Sequence, residues 1–389
     1  MNPKNPSITI YLGIYNAEKY LDSLFEQIKS QDNQNFKLLV VDNNSLRINK
    51  NMFRKWETLY KNNFKFVQNK INYGGHGSLF KNIDKIKTKW FCTLHQDDFY
   101  KSNHISTLVD LISEVENNVV GVSTTMGSMT LDGKILNSKP RASWFSYNLD
   151  EPGQFLQNLK SQAVPYPATA FKLAVFKKTF VPFHNPTFSD TEQTLKMLAY
   201  GRFIFSQKET MYYRENPKSE SHTLNKTEIS IGSGVALSRV VNSIEFKSVI
   251  KKVSEKNRGK FVSQLTDALS FRISDGELLK TLQINALEVM VDTWGYKQTK
   301  VSEELVNKYV SFSSPQTIQV ISQLSNIKSK KNLRISIVKP KISFVSKVWD
   351  KYFQTNLRFF SRYNKFFLKS VHYLIFIVKP NHRLKNKWK

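Results

Sequence analysis

Trp90-Phe91-Cys92-Thr93-Leu94-His95-Gln96-Asp97-Asp98 decides the fold of this chain. An apolar run of strand length ends abruptly in a polar cluster with two adjacent carboxylates. In open α/β sheets, ligands bind in the crevice beyond the carboxyl ends of the strands. Acids at such a tip suit a metal ion or the hydroxyls and phosphates of a nucleotide. Upstream, Phe36-Lys37-Leu38-Leu39-Val40-Val41 ends the same way, in Asp42-Asn43-Asn44-Ser45. Two buried strands with carboxylate tips predict one edge of a nucleotide site.

The segments around these strands alternate between two periods. Ser7 to Leu12 is rich in β-formers and leads into the turn Gly13-Ile14-Tyr15-Asn16. Tyr20, Leu21, Leu24, Phe25 and Ile28 then recur at helical spacing. A charged, helix-like segment covers Lys50 to Tyr60, and Phe64 to Val67 reads as a third strand. The glycine-dense turn Asn72-Tyr73-Gly74-Gly75-His76-Gly77-Ser78 opens a helix expected over Leu79 to Ile86. Four β-then-α units in succession predict a mostly parallel sheet with helices on its faces.

Beyond that core the reading is coarser. Ile105 to Val115 reads as a helix and Val119 to Thr124 as a strand. Lys134 to Tyr166 mixes Pro, Gly, Asn and aromatics without clear periodicity and is expected to be a substrate-facing loop region. Thr187-Phe188-Ser189-Asp190-Thr191-Glu192 precedes a helix over Gln193 to Tyr200, with Ser189 or Asp190 as N-cap. Arg202 to Ser206 and Thr210 to Arg214 read as two short strands. From Thr227 to Ile327 helix-formers with periodic Leu, Val and Ile predict a helical module. Three units follow: an α/β domain over 1–225, a helical module over 226–330 and a basic aromatic tail over 331–389.

Composition narrows the class. The chain has 389 residues, too many for one ordinary core. Its single Cys, Cys92, excludes an internal disulfide framework, fits a reducing compartment, and reads as structural because it lies inside the apolar strand. The amino terminus carries no charged-then-apolar signal, and no stretch approaches the roughly 18–20 apolar residues of a membrane span. The formal net charge is +27, and about half of it comes from Lys331 to Lys389, where fifteen Lys or Arg stand against one acid, Asp350. There Trp349, Tyr352, Phe353, Phe359 and Phe360 interleave with Lys347, Lys351, Arg358 and Arg362. Cations among aromatics suit an anionic membrane surface; packing of the aromatics on the helical module is the competing reading. Nucleic-acid binding ranks below both, because no recognition module accompanies the tail.

The chain resembles the family 2 glycosyltransferases of the GT-A fold, which move a sugar from a nucleotide sugar, as in bacterial surface-polysaccharide assembly. The resemblance covers Ser7 to Arg214. It rests on Tyr15-Asn16-Ala17-Glu18-Lys19-Tyr20-Leu21, Val41-Asp42-Asn43-Asn44-Ser45, Asn72-x-Gly74, His95-Gln96-Asp97-Asp98 and Ser189-Asp190 ahead of Gly201, in that order. Each piece is unspecific alone; their order and spacing carry the resemblance.

The resemblance implies that Asp42 binds the base or ribose of the donor and that backbone at Gly13 to Tyr15 lines the same pocket, with Gly13 where the family has proline. It also implies nucleotide contact at Asn72 and Gly74, whose bland reading is a flexible turn. His76 reads as a solvated loop histidine. The family motif Asp-x-Asp holds Mg²⁺ or Mn²⁺ against the diphosphate; here Asp97 stands at the usual metal contact and His95 replaces the first Asp. His95 reads equally as a metal ligand or as a hydrogen-bonding group for ribose or backbone. Asp190 corresponds to the general base, preceded here by Ser189 rather than Glu, and its competing role is helix capping. Glu192 reads as a first-turn acid that favours the helix dipole. At Tyr213-Arg214-Glu215-Asn216 the family often has Arg-x-His, and Asn216 takes the place of that His, with His222 further on.

The implied activity is an inverting transfer of sugar to a hydroxyl of a glycan or lipid-linked acceptor, by a cytoplasmic enzyme peripheral on the inner face of a membrane. Two rivals stand beside it: a nucleotidyltransferase on a similar nucleotide edge, and a non-catalytic membrane- or polyanion-binding protein on a transferase scaffold.

Overall fold

A computed structural model describes residues 7–141, 149–161, 163–180, 188–217 and 223–294. The tail, His222 and the expected helices beyond Trp294 lie outside the described residues. Four strands form the expected βα core: β1 (Ile8–Ile14), β2 (Phe36–Asp42), β3 (Phe64–Gln68) and β4 (Trp90–His95). They lie in the order β3-β2-β1-β4, all parallel. The helices α1 (Leu21–Lys29), α2 (Arg54–Tyr60) and α3 (Gly75–Asn82) connect them.

The second half of the sheet departs from the expected parallel order. It holds β5 (Phe99–Tyr100), β6 (Val119–Met129), β7 (Ile135–Arg141), β8 (Thr169–Lys172) and β9 (Arg202–Arg214). β8 runs antiparallel between β4 and β6, β7 and β5 pair antiparallel with β6 and β9, and only β6 and β9 are parallel there. The sheet is therefore mixed, not mostly parallel. The strands that reverse it are short, or lie where the sequence shows no periodicity. The two strands expected within 202–214 are one long strand, β9, whose pairing to β6 shifts register at three places. Those shifts break the alternation that would mark a single strand.

Lys134 to Tyr166 is not the expected loop region: it contains β7 and the helix α5 (Glu151–Ser161). The helix was hidden because its buried face is partly polar. Phe155 and Leu159 are buried beside Gln154 and Asn158. The Gln154 amide donates to Phe203 O at 3.0 Å and accepts from Phe203 N at 2.8 Å, while Asn158 Nδ2 donates to Thr194 Oγ1 at 2.9 Å. Each buried amide thus keeps its hydrogen bonds, and a hydrophobic period over Gln154 to Asn158 never appears.

Side chains of the strands alternate between two cores. Ile8, Ile10, Leu12, Leu38 and Val40 face α1, α2 and α4 (His104–Glu114) on one side of the sheet. Tyr11, Leu39 and Val41 face the other, with α3, α5, α6 (Leu173–Thr179) and α7 (Ser189–Met197). Full burial of one such Leu, Ile or Phe side chain contributes about 1.5–3 kcal/mol. The helices α8 (Lys226–Val241), α9 (Ile244–Lys251), α10 (Arg258–Arg272) and α11 (Gly276–Trp294) join this second core through Leu237, Phe246, Leu265 and Leu287. Asn225 starts α8 with a full capping box, its side chain accepting from Glu228 N while Glu228 accepts from Asn225 N. Among the described residues no helix is long and apolar enough to cross a membrane.

His104, at the start of α4, is fully buried, and burial pulls its imidazole down to about 3. Its Nδ1 lies 2.8 Å from Thr210 Oγ1. The unfolded chain takes up this proton near pH 6.5 and the folded chain does not, so stability is present above pH 6.5 and is lost as pH falls towards 3. Each unit below 6.5 costs up to about 1.4 kcal/mol from this group. Melting curves between pH 7 and pH 4 are expected to fall more steeply for the wild type than for His104→Gln.

Candidate active site

The carboxyl ends of β1, β2 and β4 lie side by side, with Ile14 opposite Asp42 and Gly13 opposite His95. This register brings Gly13, Tyr15, Asp42, His95 and Asp97 to one sheet edge. Asp42 is fully buried, and its carboxylate holds its own turn. It accepts from Ser45 N at 3.2 Å, from Ser45 Oγ, and from Gln68 Nε2 at 2.8 Å. Ser45 Oγ in turn accepts from Asn16 N at 2.8 Å, which ties the turn after β2 to the turn after β1. Asn16 adopts φ +47°, in the left-handed region that Asn tolerates.

Asn43 organises the glycine turn. Its Oδ1 accepts from Tyr73 N and Asn69 Nδ2, both at 3.0 Å, and its Nδ2 donates to Asn72 Oδ1 at 2.6 Å and Gly74 O at 3.1 Å. Gly74 has φ +71°, where a side chain would be strained, and sits directly before α3. The helix therefore starts at Gly75 inside the glycine tract, not at Leu79 as expected. A tight turn outweighs the low helix propensity of these glycines: Gly74 N donates to Asn72 Oδ1 at 2.8 Å, and Ser78 N closes the first turn onto Gly74 O at 2.9 Å. His76 is not a solvated loop histidine. It is half-buried, its ring is stacked on Phe180 at 4.9 Å, and burial pulls its pKa down to about 4.

The β4 tip is clamped from both sides. His95 N donates to Tyr100 Oη at 2.7 Å. Arg214, at the end of β9, donates from Nε to Asp97 O at 2.6 Å and from its backbone N to Asp98 Oδ1 at 3.0 Å. Its Nη1 reaches Leu131 O at 2.8 Å, across the β6–β7 turn. Asp98 is buried, and its Oδ2 has no hydrogen bond but lies 3.5 Å from His95 Nδ1. Burial opposes a charge on His95, yet the carboxylates of Asp98, Asp97 and Asp190 outweigh it and hold the imidazole above its ordinary pKa. The Asp97 carboxyl is also raised, by burial first and by Asp98 next.

Gln96, between the two key positions, went unnoticed in the sequence. Its Oε1 accepts from Tyr15 N at 2.7 Å and its Nε2 donates to Tyr15 O at 3.1 Å. The side-chain amide thus pairs with the backbone of the β1 turn as a neighbouring strand would. Its partner lies 81 residues away, and no local pattern marks such a pair.

Asp190 joins this edge from α7, and its carboxylate acts electrostatically on His95, Tyr166 and Arg272. The helix begins at Ser189, one residue beyond Phe188 at the cap position, so neither Ser189 nor Asp190 is the expected N-cap. Asp190 stands in the first turn and accepts from Thr191 N at 2.7 Å. Glu192 does more than favour the dipole. It is completely buried, and it accepts from Lys196 Nζ at 2.8 Å and from Arg239 Nε of α8 at 2.8 Å. Asn216 lies two residues past Arg214, just beyond β9.

Among the described residues no three His, Cys, Asp or Glu side chains form a metal cage. Mg²⁺ needs no such cage, since one or two carboxylates plus substrate phosphates suffice. The tip fits that mode: Asp98 Oδ2 is buried without a hydrogen bond, and Asp98 pushes the Asp97 carboxyl upward. A cation would relieve both.

Residues 9–180 match the family model for glycosyl transferase family 2. The teichoic acid poly(glycerol phosphate) polymerase of Staphylococcus epidermidis is 23% identical over 259 residues, 66% of this chain and 34% of that protein. An uncharacterized glycosyltransferase of Haemophilus influenzae is 26% identical over 123 residues, 32% of this chain and 36% of that protein. The chain thus spans about a third of the length of these curated relatives. Among solved structures, S. aureus TarS in complex with UDP-GlcNAc aligns with a TM-score of 0.49 at 14% identity, covering 75% of this chain and 90% of that one. A mannosyltransferase from Pyrobaculum calidifontis in complex with GDP-Man and Mn²⁺ aligns with a TM-score of 0.44 at 13% identity, covering 83% and 86%.

Proposed function

We propose that this chain, whose residues 9–180 match the family model for glycosyl transferase family 2, transfers a sugar from a nucleoside-diphosphate sugar to an acceptor hydroxyl, with inversion, in the synthesis of a cell-surface polysaccharide. The observation that carries the reading is the parallel register of β1, β2 and β4, which sets Gly13, Asp42 and His95 side by side at one edge of the sheet, with Asp97 just beyond it. A donor-side acid cluster and a carboxylate in the first turn of a helix are the two halves that a displacement at an anomeric carbon needs.

The nucleoside end is lined by Gly13, Tyr15 and the turn that Asp42 caps, with Asn72 and Gly74 as the wall held by Asn43. Asp97, with the free Asp98 Oδ2 behind it and His95 once it gives up its proton, would hold Mg²⁺ or Mn²⁺. Such an ion would offset the negative charge growing on the departing diphosphate. Asp190 takes the proton from the acceptor hydroxyl as it attacks. Arg214 keeps the Asp97 backbone in place, so the carboxylate is presented at a fixed point of the edge.

Incubation with UDP, GDP, CDP and TDP sugars tests the reading. Release of nucleoside diphosphate with formation of a glycoside supports it; release of pyrophosphate identifies a nucleotidyltransferase instead. Binding of donor without turnover supports the non-catalytic scaffold. Gln96→Ala is expected to weaken nucleoside-diphosphate binding about 3- to 10-fold, because two hydrogen bonds of about 0.5–1.5 kcal/mol each hold the Tyr15 turn. Calorimetric titration measures this, and an unchanged Kd would remove Gln96 from the donor site. The basic aromatic tail supports, on composition alone, attachment to the inner face of an anionic membrane and a lipid-linked acceptor.

A further inference from the structure

Asn69 directly follows β3 and is buried, with its side-chain amide engaged on both sides. Its Nδ2 donates to Asn43 Oδ1 and to Ser78 Oγ of α3, both at 3.0 Å, and its Oδ1 accepts from Asn82 Nδ2 at 3.1 Å. Its backbone N donates to Asp42 O at 2.8 Å. One residue thus joins the end of β2 to the helix that follows the glycine turn. Ser78 Oγ also accepts from the Tyr11 hydroxyl at 3.1 Å, which extends the string of hydrogen bonds to β1. Tyr11, Ser78, Asn69, Asn43 and Asn82 are all buried, where an unmatched polar group is costly.

The string runs between the two walls assigned to the nucleoside. On the β1 side the Tyr11 ring lies against Gly13: a Cβ there would stand 3.2 Å from Tyr11 Cε1, closer than ordinary van der Waals contact. Glycine at this position leaves the ring its place beside Ser78. On the other side Asn43 holds Tyr73 N, Asn72 Oδ1 and Gly74 O. Among the described residues nothing lies within 4 Å of a Cβ built on Gly74 or Gly75, so this wall opens onto space. The Asn43 amide can face the turn in one sense only. Flipped, it would aim its oxygen at two acceptors, Asn72 Oδ1 and Gly74 O, and its NH₂ at the Tyr73 N–H. Asn69 supplies the donor that matches the sense required. We propose that Asn69 is a positioning residue for the donor nucleoside: through the string Tyr11, Ser78, Asn69, Asn43 it fixes the spacing of the walls 13–15 and 72–74, between which base and ribose bind. This deepens the transferase reading and rests on it.

Asn69→Asp tests the assignment, because it keeps the shape and the bond from Asn82 but replaces both donated bonds by an acceptor oxygen. The full-length protein is titrated with UDP, GDP, CDP and TDP, and with inorganic pyrophosphate and Mn²⁺ as a probe that lacks the nucleoside. Asn69→Asp is expected to weaken the nucleoside diphosphate at least tenfold and to raise donor KM with kcat little changed, while pyrophosphate binds as to the wild type. Hydrogen exchange of the Tyr73 amide, which bonds to Asn43, is expected to quicken. Tyr11→Phe removes one hydroxyl and serves if Asn69→Asp folds poorly; it is expected to weaken the nucleoside diphosphate roughly 2- to 10-fold, the worth of one hydrogen bond. Unchanged nucleoside-diphosphate affinity in both variants would overturn the proposal. Weakening of pyrophosphate by the same factor, or a loss that falls on kcat instead of KM, would show a merely structural role and also overturn it. If the wild type binds none of the four nucleotides, the transferase reading fails and the nucleoside role with it. Unchanged exchange at Tyr73 would overturn the role of Asn69 alone.

Discussion

Asp190→Asn is expected to lower kcat by roughly 10²- to 10⁴-fold, the range for loss of a positioned general base, while nucleotide-sugar affinity stays as in the wild type. The substitution is close to isosteric. The amide oxygen still accepts from Thr191 N, which now bonds to Asp190 Oδ1 at 2.7 Å, so the first turn of α7 is preserved. What disappears is the proton acceptor and the negative charge felt at His95, Tyr166 and Arg272. A steady-state assay paired with calorimetric donor titration separates the two effects. Unchanged kcat would show that another group takes the proton and would reduce Asp190 to a helix-start residue.

Glu192→Gln is expected to cost about 3–5 kcal/mol of stability, the usual result of breaking one side of a buried ion pair. The Glu192 carboxylate is fully buried between Lys196 and Arg239, whose side chains are only 15% and 14% exposed. Removing its charge leaves two cations facing a neutral amide with little water to compensate. For a folded unit of this size the melting temperature should drop on the order of 10 °C. Replacing Glu192, Lys196 and Arg239 together by apolar side chains of similar volume is expected to recover most of the loss, because the intact pair itself contributes little net stability. A loss below about 1 kcal/mol in Glu192→Gln would contradict this account. Since Glu192 ties α7 to α8 two residues beyond Asp190, the variant should also lower kcat at temperatures where it remains folded.

The parts of the site that were legible in the sequence share one property. Asp42, His95, Asp97 and Asp98 each follow directly on an apolar strand, so strand period and abrupt polarity place them without knowledge of any partner. Asn72 and Gly74 were legible through the resemblance, and Gly74 also because a glycine allows close approach and the φ of +71° found here. Gln96, Asn43 and Glu192 were not. Their roles depend on groups far along the chain: Gln96 on Tyr15, Asn43 on Tyr73 and Gly74, Glu192 on Arg239. An amide or a carboxylate carries no mark of which distant backbone it will meet.

The fold divides in the same way. The parallel β1–β4 half was readable because buried parallel strands are continuous apolar runs and each is followed by a helical period. The antiparallel half was not, because β8 has four residues, β9 carries register shifts, and α5 buries Gln154 and Asn158 where a hydrophobic period would be expected. Sequence alone singled out the edge around His95-Gln96-Asp97-Asp98 as the place where a ligand is expected, since the tip of a buried strand in an α/β sheet has only one side on which to meet one. Tertiary structure decided that Glu192 of α7 pairs with Arg239 of α8, and that Gln154 and Asn158 of α5 meet Phe203 and Thr194. Those placements come from packing α5, α7, α8 and α10 against one face of the sheet, and packing joins residues that have no local relation in the chain.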